Sequence, residues 1–317
     1  MRRAYPRPSR RARGYTLVEL MVTLVITLLV LAAGLAFYLM SRNSYATIDD
    51  NSSLQERGQF AMSVVTRLAR QAAFTPLDTK NGGPMSIPDA MLGGLDACAN
   101  PQVSVDANNI ESLSCGAGTA INNSDVLLVR YFGVSSLSDS SQPDGSVIDC
   151  SGQGVAGFTD SDNAARQRGM SMLYVGTGAN GKPSLMCRYR TRAAGVESMT
   201  DYVTQELVPG VEAMQVLYGL ALNDDEVPDK YVNANAMSAS DWKNVLTVKV
   251  SMVVRADNAS ADAGGPGTIQ MFGPLGSDLD SASFTPTEDL QSARKLYTAT
   301  VQLHNYQSCL AGALSCQ

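Results

Sequence analysis

The alternation of apolar and polar positions changes character three times along the chain. Residues 20–40 are a run of 21 positions without a charge. As a helix rising ~1.5 Å per residue, that run spans a hydrocarbon layer of about 30 Å. Beyond it Leu54, Gly58, Ala61, Val65, Leu68 and Ala72 recur at spacings of three and four, with Gln55, Arg57, Gln59, Arg67 and Arg70 on the opposite side. This spacing predicts a half-buried amphipathic helix continuing towards Pro76. From residue 75 to 123 Gly, Pro, Asn and Asp take over, with Asn81-Gly82-Gly83-Pro84 and Gly93-Gly94 as turn signals. Irregular connection is predicted there.

Segments rich in β-branched residues and bounded by turn formers then predict strands at 126–132, 170–175, 184–189, 213–222, 245–254 and 296–303. The stretch 245–253 alternates imperfectly, as a central strand does when one face lies on a helix and the other is partly exposed. Residues 256–288, dense in Gly, Pro, Ser and Asp, predict a long surface loop and a candidate partner surface. The expected fold class is α+β: a long N-terminal transmembrane and amphipathic helix packed on a mainly antiparallel β-sheet domain.

Charge adds direction to this picture. Residues 1–14 hold six of the 24 basic residues and no acid, so 18 basic residues face 30 acidic ones downstream, a balance of −12. Such a remainder has no general attraction for nucleic acid, which needs clustered Lys and Arg. Arginines ahead of an apolar run stay on the cytoplasmic side, which puts the carboxyl-terminal bulk outside the cytoplasm. The run is longer than the ~7–15 apolar residues of a cleaved secretory signal. An ordinary membrane anchor accounts for this much but not for Glu19 at the cytoplasmic edge of the run. A carboxylate inside a membrane costs about 2.5–3.5 kcal/mol on insertion scales, so a partner for Glu19 is expected.

The six cysteines, Cys98, Cys115, Cys150, Cys187, Cys309 and Cys316, include no C-x-x-C pair, which speaks against a redox or zinc motif. Six cysteines allow 15 full pairings. The simplest sequential scheme joins Cys98 to Cys115, Cys150 to Cys187 and Cys309 to Cys316, and requires an oxidising compartment; buried free thiols are the alternative. His304 is the single histidine, and no nucleophile elbow, phosphate loop or zinc-binding histidine pair accompanies it. Neither catalysis nor a cofactor or metal is expected. Asn223-Asp224-Asp225-Glu226 with Asp229 gathers oxygen ligands in one loop, but without the spacing of a calcium loop it reads as a solvated acidic turn.

Arg13-Gly14 followed by Tyr15-Thr16-Leu17-Val18-Glu19-Leu20-Met21 resembles the class III leader of type IV prepilins. The resemblance implies cleavage after Gly14 by a prepilin peptidase, N-methylation of the new terminus at Tyr15, and retention of the apolar helix. Glu19 becomes the fifth mature residue, an assembly register that pairs with the terminal amine of a neighbouring subunit. The chain departs from the family in having Tyr15 where Phe is usual, and in lacking a proline between Pro8 and Pro76. Two later blocks, Val211-Glu212-Ala213-Met214-Gln215-Val216-Leu217-Tyr218-Gly219 and Arg294-Lys295-Leu296-Tyr297-Thr298-Ala299-Thr300-Val301-Gln302-Leu303-His304-Asn305, resemble PilW-type minor pilins.

On this reading residues 1–14 are a cleaved basic leader and 15–40 a transmembrane and filament-core helix. Residues 41–74 continue it as an amphipathic helix, and 75–317 form an extracytoplasmic β-rich domain. The implied function is that of a minor pilin that helps to initiate or prime a type IV pilus. It resides in the bacterial inner membrane, crossing once with its amino terminus cytoplasmic and its carboxyl-terminal domain periplasmic, and then in the pilus. The implied partners are prepilin peptidase, other minor and major pilins, the inner membrane and the pilus assembly platform. A minor pseudopilin of a type II secretion system is the alternative within the same machinery. A membrane-anchored adhesin or binding module that keeps residues 1–14 is the alternative from another class.

Overall fold

One long helix and two antiparallel sheets carry most of the regular structure. The computed structural model describes residues 14–74, 77–78, 83–84, 90–106, 111–158, 164–193, 196–223, 227–259, 267–273 and 283–305. Helix α1, Leu17–Gln71, has 55 residues, and the chain divides into two units, Met1–Asp49 and Asp50–Gln317.

In the first unit every side chain of α1 from residue 17 to 40 is exposed, and by length and composition the helix can cross a membrane. The hydroxyls of Thr23 and Thr27 donate back to the carbonyls of Leu20 and Thr23, at 2.9 and 2.7 Å. Both threonine hydroxyls of the run are thereby satisfied within the helix, as polar groups in hydrocarbon require.

In the second unit α1 has a buried face made of Leu54, Gly58, Ala61, Val64, Val65, Leu68 and Ala69, with Ala72 just past its end. All six positions of the predicted apolar stripe are among them. Each large apolar side chain buried this way contributes about 1.5–3 kcal/mol, so tertiary packing rather than propensity holds this part of the helix. At its end Ala73 turns into the left-handed region with φ 58°. There the side-chain amide of Asn305 donates to the carbonyls of Arg70 and Ala72, each at 3.2 Å, which satisfies two acceptors that a helix end leaves open.

In chain order the strands are β1 (Leu77–Asp78), β2 (Gly83–Pro84), β3 (Leu92–Leu95), β4 (Pro101–Val105), β5 (Glu111–Cys115), β6 (Val126–Tyr131), β7 (Gly169–Thr177), β8 (Pro183–Ala193), β9 (Val196–Pro209), β10 (Val211–Leu220), β11 (Lys230–Val232), β12 (Val245–Ala259), β13 (Ile269–Gln270), β14 (Ser283–Phe284) and β15 (Ser292–Gln302). One sheet has the order β3-β6-β7-β8-β9 and the other β11-β10-β12-β15, with β1-β2, β4-β5 and β13-β14 as small pairs. The pairings are antiparallel. The chain passes from the first sheet to the second at Gly210, whose φ of 82° allows the abrupt change of direction.

The main core joins the helix face to both sheets: Leu127, Val129, Leu173, Val175 and Leu185 from one, Met214, Val216, Val248, Val250, Met252 and Val254 from the other. Glu111, at the start of β5, is buried with three arginines that pair with its carboxylate: Arg130 at 2.6 Å, Arg168 at 3.1 Å, and Arg190. These pairs fasten the β4-β5 hairpin to the five-stranded sheet. Two disulfides add covalent ties, Cys98–Cys115 across the open end of that hairpin and Cys150–Cys187 from the 132–158 segment to β8, with Cα separations of 5.7 and 5.9 Å. Cys309 and Cys316 lie outside the described residues.

Each of the six predicted strands is present, and four expectations need correction. Residues 75–123 are not all irregular, because β3 pairs with β6 and β4 with β5. The glycines of β3 read as a turn, but Gly94 is small because the Tyr218 hydroxyl occupies the place of its missing side chain. Strand β9 was not anticipated. As an edge strand it exposes Thr200, Asp201, Val203 and Thr204 and so lacks an apolar run. The outer face of β12 is not partly exposed: between 245 and 254 only Lys249 escapes full burial. What covers it comes from the expected surface loop 256–288, where Met271, Phe272 and Phe284 pack with Ala213, Leu217 and Val253 in a second apolar cluster. Residues 260–266 and 274–282 of that loop lie outside the described residues, as do 224–226 of the acidic turn.

Candidate processing and assembly site

The start of α1 is set by its first few residues. Thr16 precedes the first helical residue, and its hydroxyl accepts from the backbone N–H of Glu19 at 3.2 Å, the N-cap half of a Thr-x-x-Glu capping box. Glu19 is therefore the acid in the first helical turn, where a negative charge is favoured by the positive end of the helix dipole. Gly14 and Tyr15 stand outside the helix and are exposed, Tyr15 at 83%. A side chain on Gly14 would meet nothing within 4 Å, so among the described residues no contact demands glycine there.

The expected site residues Gly14, Tyr15 and Glu19 thus sit together within six residues, with the scissile bond expected after Gly14 in non-helical chain and Glu19 one turn into the helix. Residues 1–13 of the expected leader lie outside the described residues. The part of Thr16 as cap was missed, although the four-residue pattern Thr16 to Glu19 carried the signal.

The two later blocks lie in the four-stranded sheet, the first as β10 and the second as most of β15 with its end. They meet through side chains: the Arg294 guanidinium donates to both oxygens of Glu212, at 2.6 and 3.0 Å, and Arg255 of the intervening β12 pairs with the same carboxylate at 3.3 Å. Arg255 also pairs with Asp289. No spacing in the sequence announced this cluster, since its members come from three separate strands and the turn before β15. Ties to the helix also come from this sheet. Arg57 pairs with Asp257, which holds the Asp257 carboxyl below the usual range through the hydrogen bond from Arg57, and the Tyr297 hydroxyl donates to the Leu54 carbonyl at 2.8 Å.

His304 is exposed, and its Nδ1 lies 3.2 Å from the carbonyl oxygen of Gln302, an arrangement of one strand end with its own residues. Among the described residues no three His, Cys, Asp or Glu side chains gather as a metal site would require.

Comparison with known proteins gives two family matches. Residues 9–35 match the prokaryotic N-terminal methylation motif, and residues 172–305, from β7 to Asn305, match the type IV pilus-assembly protein W family. Among solved structures, a type IV-like pilin from Thermus thermophilus is similar with a TM-score of 0.41 and 11% identity, over 80% of this chain and 97% of that one. No curated protein matches the chain. The methylation motif at the head of an exposed apolar helix and the pilus-assembly match over residues 172–305 together support a type IV pilin of the PilW type.

Proposed function

We propose that this pilin is a minor subunit, cut after Gly14 by a prepilin peptidase and methylated at Tyr15, that helps to initiate assembly of a pilus filament. The observation that carries the reading is the first unit itself. The charge-free run 20–40 exposes all its side chains, and one acid, Glu19, stands just ahead of it in the opening turn of the helix. A helix hydrophobic all round needs an apolar surrounding, and a membrane first and neighbouring helices later both supply it. The work of such a chain is association rather than chemistry. Its partners are other pilins and the assembly machinery, and its carboxyl-terminal domain stands outside the cytoplasm, where Cys98–Cys115 and Cys150–Cys187 persist.

The test is the intact mass and amino-terminal sequence of the membrane-extracted chain, expressed with and without a prepilin peptidase. A methylated terminus at Tyr15 that arises only with the peptidase is expected. A chain that keeps residues 1–14 in both cases would overturn the processing step and leave a single-pass anchor.

A further inference from the structure

Two carboxylates stitch the two sheets together along one seam. Asp125, just before β6, accepts from the backbone N–H of Val216 in β10 at 2.9 Å and from that of Ala97 at 3.2 Å. Asp96, just after β3, accepts from the N–H groups of Ala234 and Asn235, at 3.0 and 2.7 Å, in the turn that follows β11. Main-chain groups run along the same line: the N–H of Asp125 donates to the Met214 carbonyl at 2.9 Å, and the N–H of Met214 donates to the Ser124 hydroxyl at 3.2 Å. The β3 and β6 ends of one sheet are thereby tied to β10 and the β11 turn of the other.

The seam is buried, and among the described residues no cation faces its inner carboxylate. Asp125 is 3% exposed. Among the described residues, the charged and ionisable groups that face it are Asp96 from the β3 side and Tyr218 from β10. The Tyr218 ring packs edge-on against Trp242 at 4.8 Å, and its buried hydroxyl makes no hydrogen bond with the described residues. Among the described residues, this buried carboxylate faces two amide dipoles and a second negative group.

We propose that the seam is proton-linked: Asp125 takes up a proton as the two sheets close, so that acid tightens the clasp and alkali loosens it. Burial pushes the Asp125 carboxyl up to about 8. The Asp96 charge adds to the rise, and the N–H bonds from Val216 and Ala97 oppose it. The sign follows from linkage. The folded value lies above the ordinary 3.8, so the folded chain binds more protons than the unfolded one between these values. The contribution of Asp125 to stability is complete below pH ~4, falls as pH rises, and levels off above pH ~8, with the unfolding constant growing from this group by up to about tenfold per pH unit in between.

Isotope-edited infrared spectroscopy of the full chain in detergent, with aspartate labelled at its carboxyl carbon, reads the proton directly. A protonated aspartate band at pH 7 that titrates near pH 8 and vanishes in Asp125→Asn is expected. In Asp96→Asn the same band should titrate at lower pH, because the neighbouring charge is gone, and this variant decides the matter if Asp125→Asn does not fold. Denaturant unfolding supplies a second readout in a Glu197→Gln background, since burial also raises Glu197 to about 7 against the pull of Arg192. There the decline of stability from pH 5 to 8 should persist with Asp125 and flatten without it. Absence of a protonated aspartate at pH 7, or a band unchanged by both substitutions, would overturn the proposal.

Discussion

The Tyr297 ring occupies the space that a side chain on Gly58 would need, and its hydroxyl donates to the carbonyl of Leu54, one helical turn earlier, at 2.8 Å. A β15 residue is thus seated in a notch of α1 that exists only because position 58 has no Cβ. Gly58→Ala should destabilise the folded domain by about 1–3 kcal/mol despite the better helix propensity of alanine, because overpacking outweighs a propensity gain of ~1 kcal/mol. Tyr297→Phe keeps the ring and loses the hydrogen bond, at about 0.5–1.5 kcal/mol. Denaturant unfolding of Gly58→Ala, of Tyr297→Ala and of the two combined checks the pairing: the double variant should cost clearly less than the sum of those singles.

The notch shows where sequence reading succeeds and where it stops. Gly58 was placed on the buried stripe of α1 by its spacing from Leu54 and Ala61, since a helix has a fixed period. Its partner Tyr297 lies about 240 residues away in the chain, and no local pattern encodes which strand residue fills which helix gap. The central strands were legible for the same local reason, being β-branched runs between turn formers. The edge strand β9 and the Gly-Gly strand β3 were not, because one is polar where it faces solvent and the other was mistaken for a turn. Likewise the Gly14-to-Glu19 constellation was legible because it is contiguous, whereas the seam of Asp96 and Asp125 depends on how two sheets dock.

Arg294 uses five hydrogen bonds at one point: two to the Glu212 carboxylate, and one each to the carbonyls of Glu288, Asp289 and Ser292. That matches the five donors of a guanidinium in its fixed fork. Arg294→Met should lower stability by about 2–4 kcal/mol, since carbonyls and a buried carboxylate lose partners together. Lysine has a single ammonium and cannot reproduce the fork, so Arg294→Lys should recover less than half of the loss in a urea unfolding series.

The two disulfides close loops with sequence separations of 17 and 37 residues. In the chain-entropy account a loop of either size restrains the unfolded chain by about 3–4 kcal/mol. Replacing Cys150 and Cys187 together by alanine should lower the melting temperature at least as much as replacing Cys98 and Cys115, because Cys150 and Cys187 are both buried in the main core. Alkylation of the unfolded, unreduced chain followed by intact mass should leave Cys98, Cys115, Cys150 and Cys187 unmodified. Reaction at any of these four without reductant would refute the pairing.

Glu19 has one task visible within the chain, as the acid in the first turn of a helix capped by Thr16, and one proposed task between chains, as the partner of a neighbouring amino terminus. The two tasks separate by substitution. Thr16→Val removes the cap while leaving the carboxylate, and costs the helix end about 0.5–2 kcal/mol. Glu19→Gln keeps the shape and removes the charge that a terminal amine requires. If recruitment depends on the charge, Glu19→Gln should leave cleavage after Gly14 intact and reduce co-purification with other pilins at least tenfold, a change of ~1.4 kcal/mol in association, with Thr16→Val close to the unmodified chain. Equal losses in both variants would assign Glu19 to helix capping, and unchanged co-purification with Glu19→Gln would remove its role in recruitment.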